Sequence, residues 1–415
     1  MPTKVVLGLQ HGDEGKGRVV DDLVQTWADV VVRFQGGGNA GHTVYDEKGH
    51  KFVTHILPVG VLNENKFNLI AKGCVINVID LYNEIKELNV KPENLLISGL
   101  CPTIEPVHLA KDKVKYQGRL GTTGRGIGPA YSDFYARDSI LFKDAINNPQ
   151  KSMSKIQEKF FDYQTYLAET YLIDLSKDED IHDLIDQNFK AFNSWVEDYY
   201  SAVEFLKPYL LQKEDLIQDL YYQDLNILLE GAQGSGLSIY STNYPDVTSS
   251  SPSVGEVLNS TGLNHTQIDE VIGVIKSYKT KVGTGAFPSK IFDDNANILA
   301  NFGKEYGATT GRPRKCGWLD LDEVKEAVIQ NGISHICVTK TDVMTHIDNP
   351  KYYLNKVFYD FTKIESVSTD DLSFADLLNV IRKTTGVDNI SFTTGPKRGE
   401  IVWYTDLKEY NDTKI

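Results

Sequence analysis

A chain of 415 residues has room for one large α/β unit or for two or three average domains. Its 41% hydrophobic and 24% charged residues exclude disorder, collagen-like repeats and coiled coil as overall descriptions. Lys+Arg of 43 against Asp+Glu of 57 leaves a net charge of −14, which argues against a nucleic-acid or anionic-membrane partner. No run approaches the roughly 18 apolar residues of a membrane helix. Val5–Leu9 is too short for a signal-peptide core. Cys74, Cys101, Cys316 and Cys337 show no CxxC spacing, so neither a disulfide framework nor a zinc site is expected. The expected location is cytoplasmic.

Lys4–Leu9 and Val30–Phe34 read as buried strands, and Arg18–Ala28 between them as a crossover helix, giving a βαβ unit. Directly after the first strand comes Gln10-His11-Gly12-Asp13-Glu14-Gly15-Lys16-Gly17-Arg18. Its glycines let main-chain N–H groups approach phosphate oxygens at a helix start, and Lys16 adds a point charge. It is not a standard P-loop, because Gly17 stands where a magnesium-binding Ser or Thr would be. Two carboxylates inside an anion site require a cation or a proton-transfer task. After the second strand, Gly36, Gly38 and Gly41 satisfy GxGxxG, but Thr43–Tyr45 and Lys51–Leu57 around Asp46-Glu47-Lys48-Gly49 read as a hairpin. A dinucleotide fingerprint would open a helix, so this is a glycine loop presenting Asn39 and His42 instead.

Gly121–Tyr131 is a donor-rich loop in which Arg125, with Arg137 beyond it, suits a phosphate. From about Asn148 to Gln223 glycine vanishes, and Phe189, Phe192, Val196, Tyr199, Val203 and Leu206 form a helical stripe. This stretch reads as a helical excursion whose tyrosines pack rather than bind. Strands return at Asn226–Leu229, Val271–Ile275 and His335–Val338, each followed by polar or glycine-rich sequence. Ligands bind at the carboxyl ends of such strands. Leu229-Glu230-Gly231-Ala232-Gln233-Gly234 places a donor-acceptor amide, Gln233, at one of them. Gly307–Trp318 holds Arg312, Arg314 and Lys315, a carboxylate or phosphate clamp; Cys316 there reads as a packed small residue. Thr339-Lys340-Thr341-Asp342 resembles the guanine-reading Asn-Lys-x-Asp of GTPases, and Thr393–Arg398 can add main-chain contacts to the same base. No internal repeat divides the chain, so residues 1–415 read as one α/β body with the excursion at about 148–223.

HGDEGKGR, GGGNAGHT, GTTGRGIGPAY, LEGAQG with VTSS, KSYKTKVGTGAFP, GATTGRPRKCGWLD, TKTD and TTGPKR run in order from residue 10 to residue 398. This set resembles the adenylosuccinate synthetase family. The resemblance implies a large central, mostly parallel sheet flanked by helices, with a P-loop-NTPase-like core and helical and small β excursions. It implies a magnesium-dependent enzyme that joins IMP and L-aspartate at the expense of GTP through 6-phosphoryl-IMP. Asp13 is implied as base and metal ligand, Gly41 as a carbonyl ligand of Mg²⁺, and His42, Lys16 and Gln233 as further catalytic residues. GTP is implied at Gly12, Glu14, Gly15, Lys16, Gly17, Gly41, His42, Thr43, Lys340, Asp342, Thr394, Gly395 and Pro396. IMP is implied at Asp13, Asn39, Thr123, Gln233, Thr248, Val282 and Arg312, with Arg137 reaching the IMP of a neighbouring subunit, hence a homodimer. Thr309, Thr310, Arg312 and Arg314 would form the aspartate loop.

This sequence departs from the family pattern in four places. His11 stands where Trp is usual, Ser235-Gly236 replaces a bulkier pair, Ser251 replaces Asn, and Ser289-Lys290 replaces Thr-Glu. Lys290 thereby inverts a charge expected near the nucleotides. Three other readings are a viral-type relative acting on a 2-aminated deoxynucleotide, a non-catalytic GTP switch and an NAD dehydrogenase. Retention of Asp13, the remaining motifs and the hairpin after GxGxxG disfavour them in turn.

Overall fold

The computed structural model describes residues 3–116, 122–170, 179–282, 285–306 and 314–403. Its strands in chain order are β1 (Thr3–Gly8), β2 (Val30–Arg33), β3 (His42–Tyr45), β4 (Lys51–Thr54), β5 (Phe67–Ile70), β6 (Leu95–Ile97), β7 (Ile227–Glu230), β8 (Glu270–Lys276), β9 (Tyr278–Lys281), β10 (Lys315–Asp320), β11 (His335–Thr339), β12 (Lys351–Leu354), β13 (Val357–Asp360), β14 (Asn389–Thr393) and β15 (Ile401–Val402). Nine of them form the central sheet in the order β15-β14-β11-β8-β1-β7-β2-β5-β6. Every neighbouring pair is parallel except β14 with β15. A smaller sheet runs β13-β12-β10-β9, and β3-β4 is the expected hairpin.

The strands are continuous apolar runs because helices cover both faces of the sheet. Val5, Leu7, Val30, Val32, Ile227 and Leu229 enter one hydrophobic cluster, while Val6, Val31 and Leu228 enter another with Val19, Val20 and Val24 of helix Lys16–Thr26. That is the period-two alternation of a pleated strand. Each such fully buried side chain stabilises the fold by roughly 1.5–3 kcal/mol. The βαβ unit forms, but β1 and β2 do not touch: β7 is inserted between them, pairing Leu229 with both Val5 and Val32. Such an insertion depends on a partner nearly two hundred positions away, and local pattern carries no information about it.

Between Asn148 and Gln223 the chain is helical at Pro149–Thr170, Glu179–Leu206 and Leu216–Tyr221. Phe160 stacks on Phe192 at 4.7 Å, and Tyr199, Val203 and Leu206 join a cluster with Leu81, Ile85 and Ile97. Tyr199 packs as expected; the side chain of Phe189 lies outside the described residues. Strands β5, β6, β14 and those of the small sheet are among the elements that the sequence does not announce. They are three to six residues long and interrupted by polar side chains such as Asn68 and Ser391, both fully buried. Among the described residues no helix is long and apolar enough to cross a membrane. All four cysteines are buried and free, and burial pushes the Cys316 thiol up to about 11, a packed residue rather than a nucleophile.

Candidate active site

Outside the carboxyl ends of the central strands lies a cavity of about 1640 Å³. The segments after β1, β2, β7, β11 and β14 all contribute to its wall, as do Thr122, Thr123 and Gly128. A parallel sheet sends successive loops to one edge, which is why motifs hundreds of residues apart share one space.

The loop after β1 separates its two acids. Gly12, Asp13 and Gly15 adopt left-handed backbone (φ 83°, 60° and 85°), and the resulting turn sends neighbouring side chains in opposite directions. Glu14 is fully buried: it accepts from the Gly12 N–H at 2.7 Å and the Gln10 N–H at 3.1 Å and pairs with Lys16 at 2.6 Å. A Cβ on Gly8 or Gly234 would collide with its carboxylate. The Glu14 side chain is not part of the cavity wall: its carboxylate braces the loop from behind, which leaves only its main chain for GTP. Gln10 completes the brace, accepting from the Lys276 N–H and donating to the Tyr278 carbonyl, both at 3.0 Å. Asp13 faces the cavity with its side chain 41% exposed, and Arg314 Nε approaches Asp13 Oδ2 at 2.9 Å. Gly12, Gly15, Lys16 and Gly17 also line the cavity.

His42 starts β3 and rests on the first turn of helix Lys16–Thr26. A Cβ at Gly17 would lie 2.8 Å from that of His42, so glycine is what permits the approach. His42 Nδ1 is 2.5 Å from Glu230 Oε1, which also holds Arg33 Nη1 at 3.1 Å; the second oxygen accepts from the Val59 N–H at 2.8 Å. Burial raises the Glu230 carboxyl, but His42, Arg33 and the Val59 N–H outweigh it and keep it ionised. Burial, helped by Arg33 and Lys16, lowers His42 despite Glu230, so the free protein holds a neutral imidazole. With Nδ1 committed to Glu230, Nε2 is the ring atom left for a ligand. Sequence reasoning missed Glu230 and Arg33; the acid at the end of a β7 otherwise apolar, opposite a strand-borne arginine, was the available signal.

Gln233, Asn39, Thr123, Thr248 and Val282 all line the cavity, as expected, with Gln233 Nε2 3.4 Å from Asn39 Oδ1. Gln35, which the sequence reading passed over, fixes the Gln233 loop by donating to the Ala232 carbonyl at 2.8 Å. Gly41, His42, Thr43, Lys340, Asp342, Gly395 and Pro396 line it as well. Thr394 does not; its N–H donates to the Glu400 carbonyl within the last turn. Arg137 is exposed and outside the cavity, and Arg125 pairs with Asp80 at 3.3 Å. Thr309, Thr310 and Arg312 lie outside the described residues. The feared charge reversal at Lys290 is remote: that side chain lines a separate shallow depression with Phe292 and Trp318. Arg398 is likewise structural, clamping the buried Asp21 of the phosphate-loop helix through two contacts of 2.8 Å.

Behind the cavity lie two acids that the motifs do not include. Glu305 meets Arg314 Nη1 at 2.9 Å, the Tyr278 hydroxyl at 2.5 Å and Lys276 at 3.4 Å. Glu323 meets His11 Nε2 and Lys279 Nζ, each at 2.5 Å. Burial raises both carboxyls, yet Lys276, Lys340, Tyr278 and Arg314 hold Glu305 at about 2, and His11 and Lys279 hold Glu323 at about 2. The unfolded chain therefore takes up these protons at higher pH than the folded one. Their contribution, on the order of 3 kcal/mol each, is complete above about pH 4.5 and disappears as pH falls toward 2. Urea midpoints measured across that range should fall steeply, and Glu305→Gln or Glu323→Gln should flatten the fall.

The fold is an open α/β sheet in which the glycine-rich loop after β1 with Asp13, the Gln233 loop after β7 and Lys340 and Asp342 after β11 share one cavity. Comparison with known proteins gives the family. The adenylosuccinate synthetase sequence profile matches residues 5–355. Adenylosuccinate synthetases of Halothermothrix orenii and Legionella pneumophila strain Paris are 40% and 42% identical over 358 and 353 residues, covering 85% and 83% of this chain and 80% and 78% of theirs. The structure of fully ligated adenylosuccinate synthetase from Plasmodium falciparum aligns with TM-score 0.84 at 28% identity, covering 96% of this chain and 99% of that one. A cyanophage S-2L succinoaminodeoxyadenylate synthetase shares the fold at TM-score 0.65 and 18% identity, covering 100% and 99%. The chain belongs to the adenylosuccinate synthetase family, ligases that join IMP to L-aspartate in purine biosynthesis at the expense of GTP.

Proposed function

We propose that this cavity binds IMP, GTP, L-aspartate and Mg²⁺ together and that Asp13 begins the reaction by taking the N1 proton of IMP. The observation that carries this reading is the divergent fate of the two adjacent acids: Glu14 is walled in, and Asp13 is held by Arg314 at the cavity surface. An inert lactam becomes a phosphate acceptor only when N1 is deprotonated, and a carboxylate beside a phosphate loop is the group that does this. The O6 oxyanion then attacks the γ-phosphorus of GTP and GDP departs. Lys16 and the main chain of Gly15 and Gly17, which line the cavity, would stabilise the charge that develops on the transferred group. Phosphate anion arriving at Nε2 favours protonation of His42, whose Nδ1–H remains on Glu230, so the ring donates toward the phosphoryl oxygens. The aspartate amine displaces phosphate from C6 of 6-phosphoryl-IMP, its carboxylates held by the loop that leads into Arg314.

The donor set fits magnesium: the Asp13 carboxylate and the Gly41 main chain face one cavity, and a hard cation takes such oxygens while completing its shell from phosphate and water. Bound there, Mg²⁺ would neutralise charge on the β- and γ-phosphates. The exposed Arg137 supports a homodimer in which this residue serves the neighbouring site, and a cytosolic enzyme is the corresponding location.

The direct test is purified protein with IMP, GTP, Mg²⁺ and L-aspartate, assayed for adenylosuccinate. Formation of product only when all four are present supports the reading; GTP hydrolysis independent of IMP and aspartate overturns it in favour of a switch, and a preference for dGMP over IMP overturns the substrate. Within the same assay, Asp342→Asn should raise KM for GTP by at least about tenfold while leaving KM for IMP near its original value, since one carboxylate accepts both N1–H and the 2-amino group of guanine. Equal loss for both nucleotides would move Asp342 out of the guanine site.

A further inference from the structure

Several aromatic residues of the cavity wall belong to none of the recognised motifs, and Phe302 is one of them. Phe302 ends helix Asn295–Phe302, lines the cavity and remains 54% exposed. Its ring is not a loose surface group: it stacks on His346 with centroids 3.7 Å apart and planes 10° from parallel. One ring face is thus covered, while the residue as a whole stays more than half exposed and contributes to the cavity wall. The helix packs against Thr341–Met344, which carries Asp342, and Lys340 Nζ donates to the carbonyl of Gly303, the residue next to Phe302, at 2.6 Å. The aromatic wall is therefore tied to both residues assigned to reading guanine.

We propose that Phe302, backed by His346, is the surface on which the purine base of GTP stacks, a positioning residue for the base. This rests on the reading that GTP occupies the cavity beside Asp342. The chemistry divides cleanly. Asp342 accepts hydrogen bonds at the edge of guanine and so distinguishes it from adenine, whereas the base also presents two wide π faces that no hydrogen bond satisfies. A planar apolar ring held rigid by a second ring supplies that contact at little entropic cost.

Base stacking on an aromatic side chain carries roughly a tenfold effect or more in affinity. Phe302→Ala should accordingly raise KM for GTP by about tenfold, with kcat at saturating GTP and KM for IMP and L-aspartate changed by less than about twofold. Phe302→Trp should restore GTP use; Phe302→Leu, apolar but not planar, should retain most of the defect. A second readout separates face from edge. Every purine has the same π face, so Phe302→Ala should weaken GTP and ITP alike and leave their ratio unchanged, whereas Asp342→Asn should collapse the ratio. An unchanged KM for GTP in Phe302→Ala, full activity of Phe302→Leu, or a shift of the GTP:ITP ratio would each overturn the proposal. Should the unmodified protein make no adenylosuccinate, the reading of the reaction fails separately. Calorimetric titration of GDP into the wild-type chain and Phe302→Ala then still tests the wall: a roughly tenfold loss supports it, and equal affinity overturns it.

Discussion

Replacing Asp13 by asparagine is expected to lower turnover by on the order of a hundredfold or more while leaving the protein folded and IMP bound. The reasoning is local. Asp13 sits at φ 60°, a left-handed position that asparagine tolerates better than most residues, so the loop keeps its shape. The amide oxygen can still face Arg314, and Arg314 retains Glu305 as its second partner, so no buried charge is stranded. What disappears is the ability to accept a proton from N1 and to offer an anionic oxygen to magnesium. A general base contributes about 10²–10⁴-fold, and the metal contact is lost with it. Steady-state turnover and calorimetric binding of IMP to the variant make the separation: near-normal turnover refutes the assignment of Asp13 as base, and loss of binding without loss of turnover at saturation reduces it to a contact residue.

The second large effect concerns a pair rather than a residue. His42→Asn and Glu230→Gln should each lose on the order of a hundredfold in turnover, and the double variant should lose little more than either alone. Glu230 holds Nδ1 at 2.5 Å and fixes which ring nitrogen faces the cavity, so removing its charge disables the imidazole as thoroughly as removing the ring. Groups that act as a unit are non-additive, and a double-mutant cycle reads this directly. Multiplicative losses would show that Glu230 and His42 act separately. Melting temperatures accompany the kinetics because Glu230 also holds Arg33 and the Val59 N–H. The glutamine variant keeps the shape; Glu230→Ala would strand a buried guanidinium, a change that typically costs about 3–5 kcal/mol.

Much of the site was legible in residue order because its chemistry is carried by glycine-rich turns at strand ends, and such turns announce themselves locally. Gly12, Gly15, Gly17 and Gly36 mark places where the main chain must turn left-handed or approach another group closely. Lys340 and Asp342 follow a strongly apolar strand, and the hairpin after GxGxxG excluded a dinucleotide fold. What stayed hidden were the groups behind those turns. Glu14 and Asp13 are neighbours of the same charge type, and their local sequence does not show which of the two is buried and which faces the cavity. Nothing in the linear sequence singles out Glu305 and Glu323. Their partners arrive from elsewhere in the fold: Lys276 and Lys279 from β8 and β9, His11 from the loop after β1 and Arg314 from just before β10.

The four departures from the family pattern show the same division. Ser289 is buried, Lys290 points away from the nucleotide cavity, and Ser251 lines it with its hydroxyl 2.8 Å from that of Ser253. His11 and Gly236 turn out to be one change. A Cβ on Gly236 would lie 2.7 Å from Glu323 Oε1 and 3.0 Å from His11 Nε2, so the missing side chain makes room for the His11–Glu323 contact. In the linear chain these positions are 225 residues apart and look unrelated.

By itself, then, the amino-acid order determined the α/β class, the edge of the sheet where ligands meet the protein and the identity of most groups there, because period-two apolar runs and left-handed turns are properties of a few consecutive residues. Only the tertiary structure decided that β7 separates β1 from β2, that Glu14 is buried as a brace while Asp13 faces the cavity, and that Glu230, Glu305 and Phe302 stand beside it. Parallel pairing joins strands with no sequence proximity, and whether a carboxylate is buried with a cation or left facing a ligand is settled by neighbours that only the completed sheet brings near.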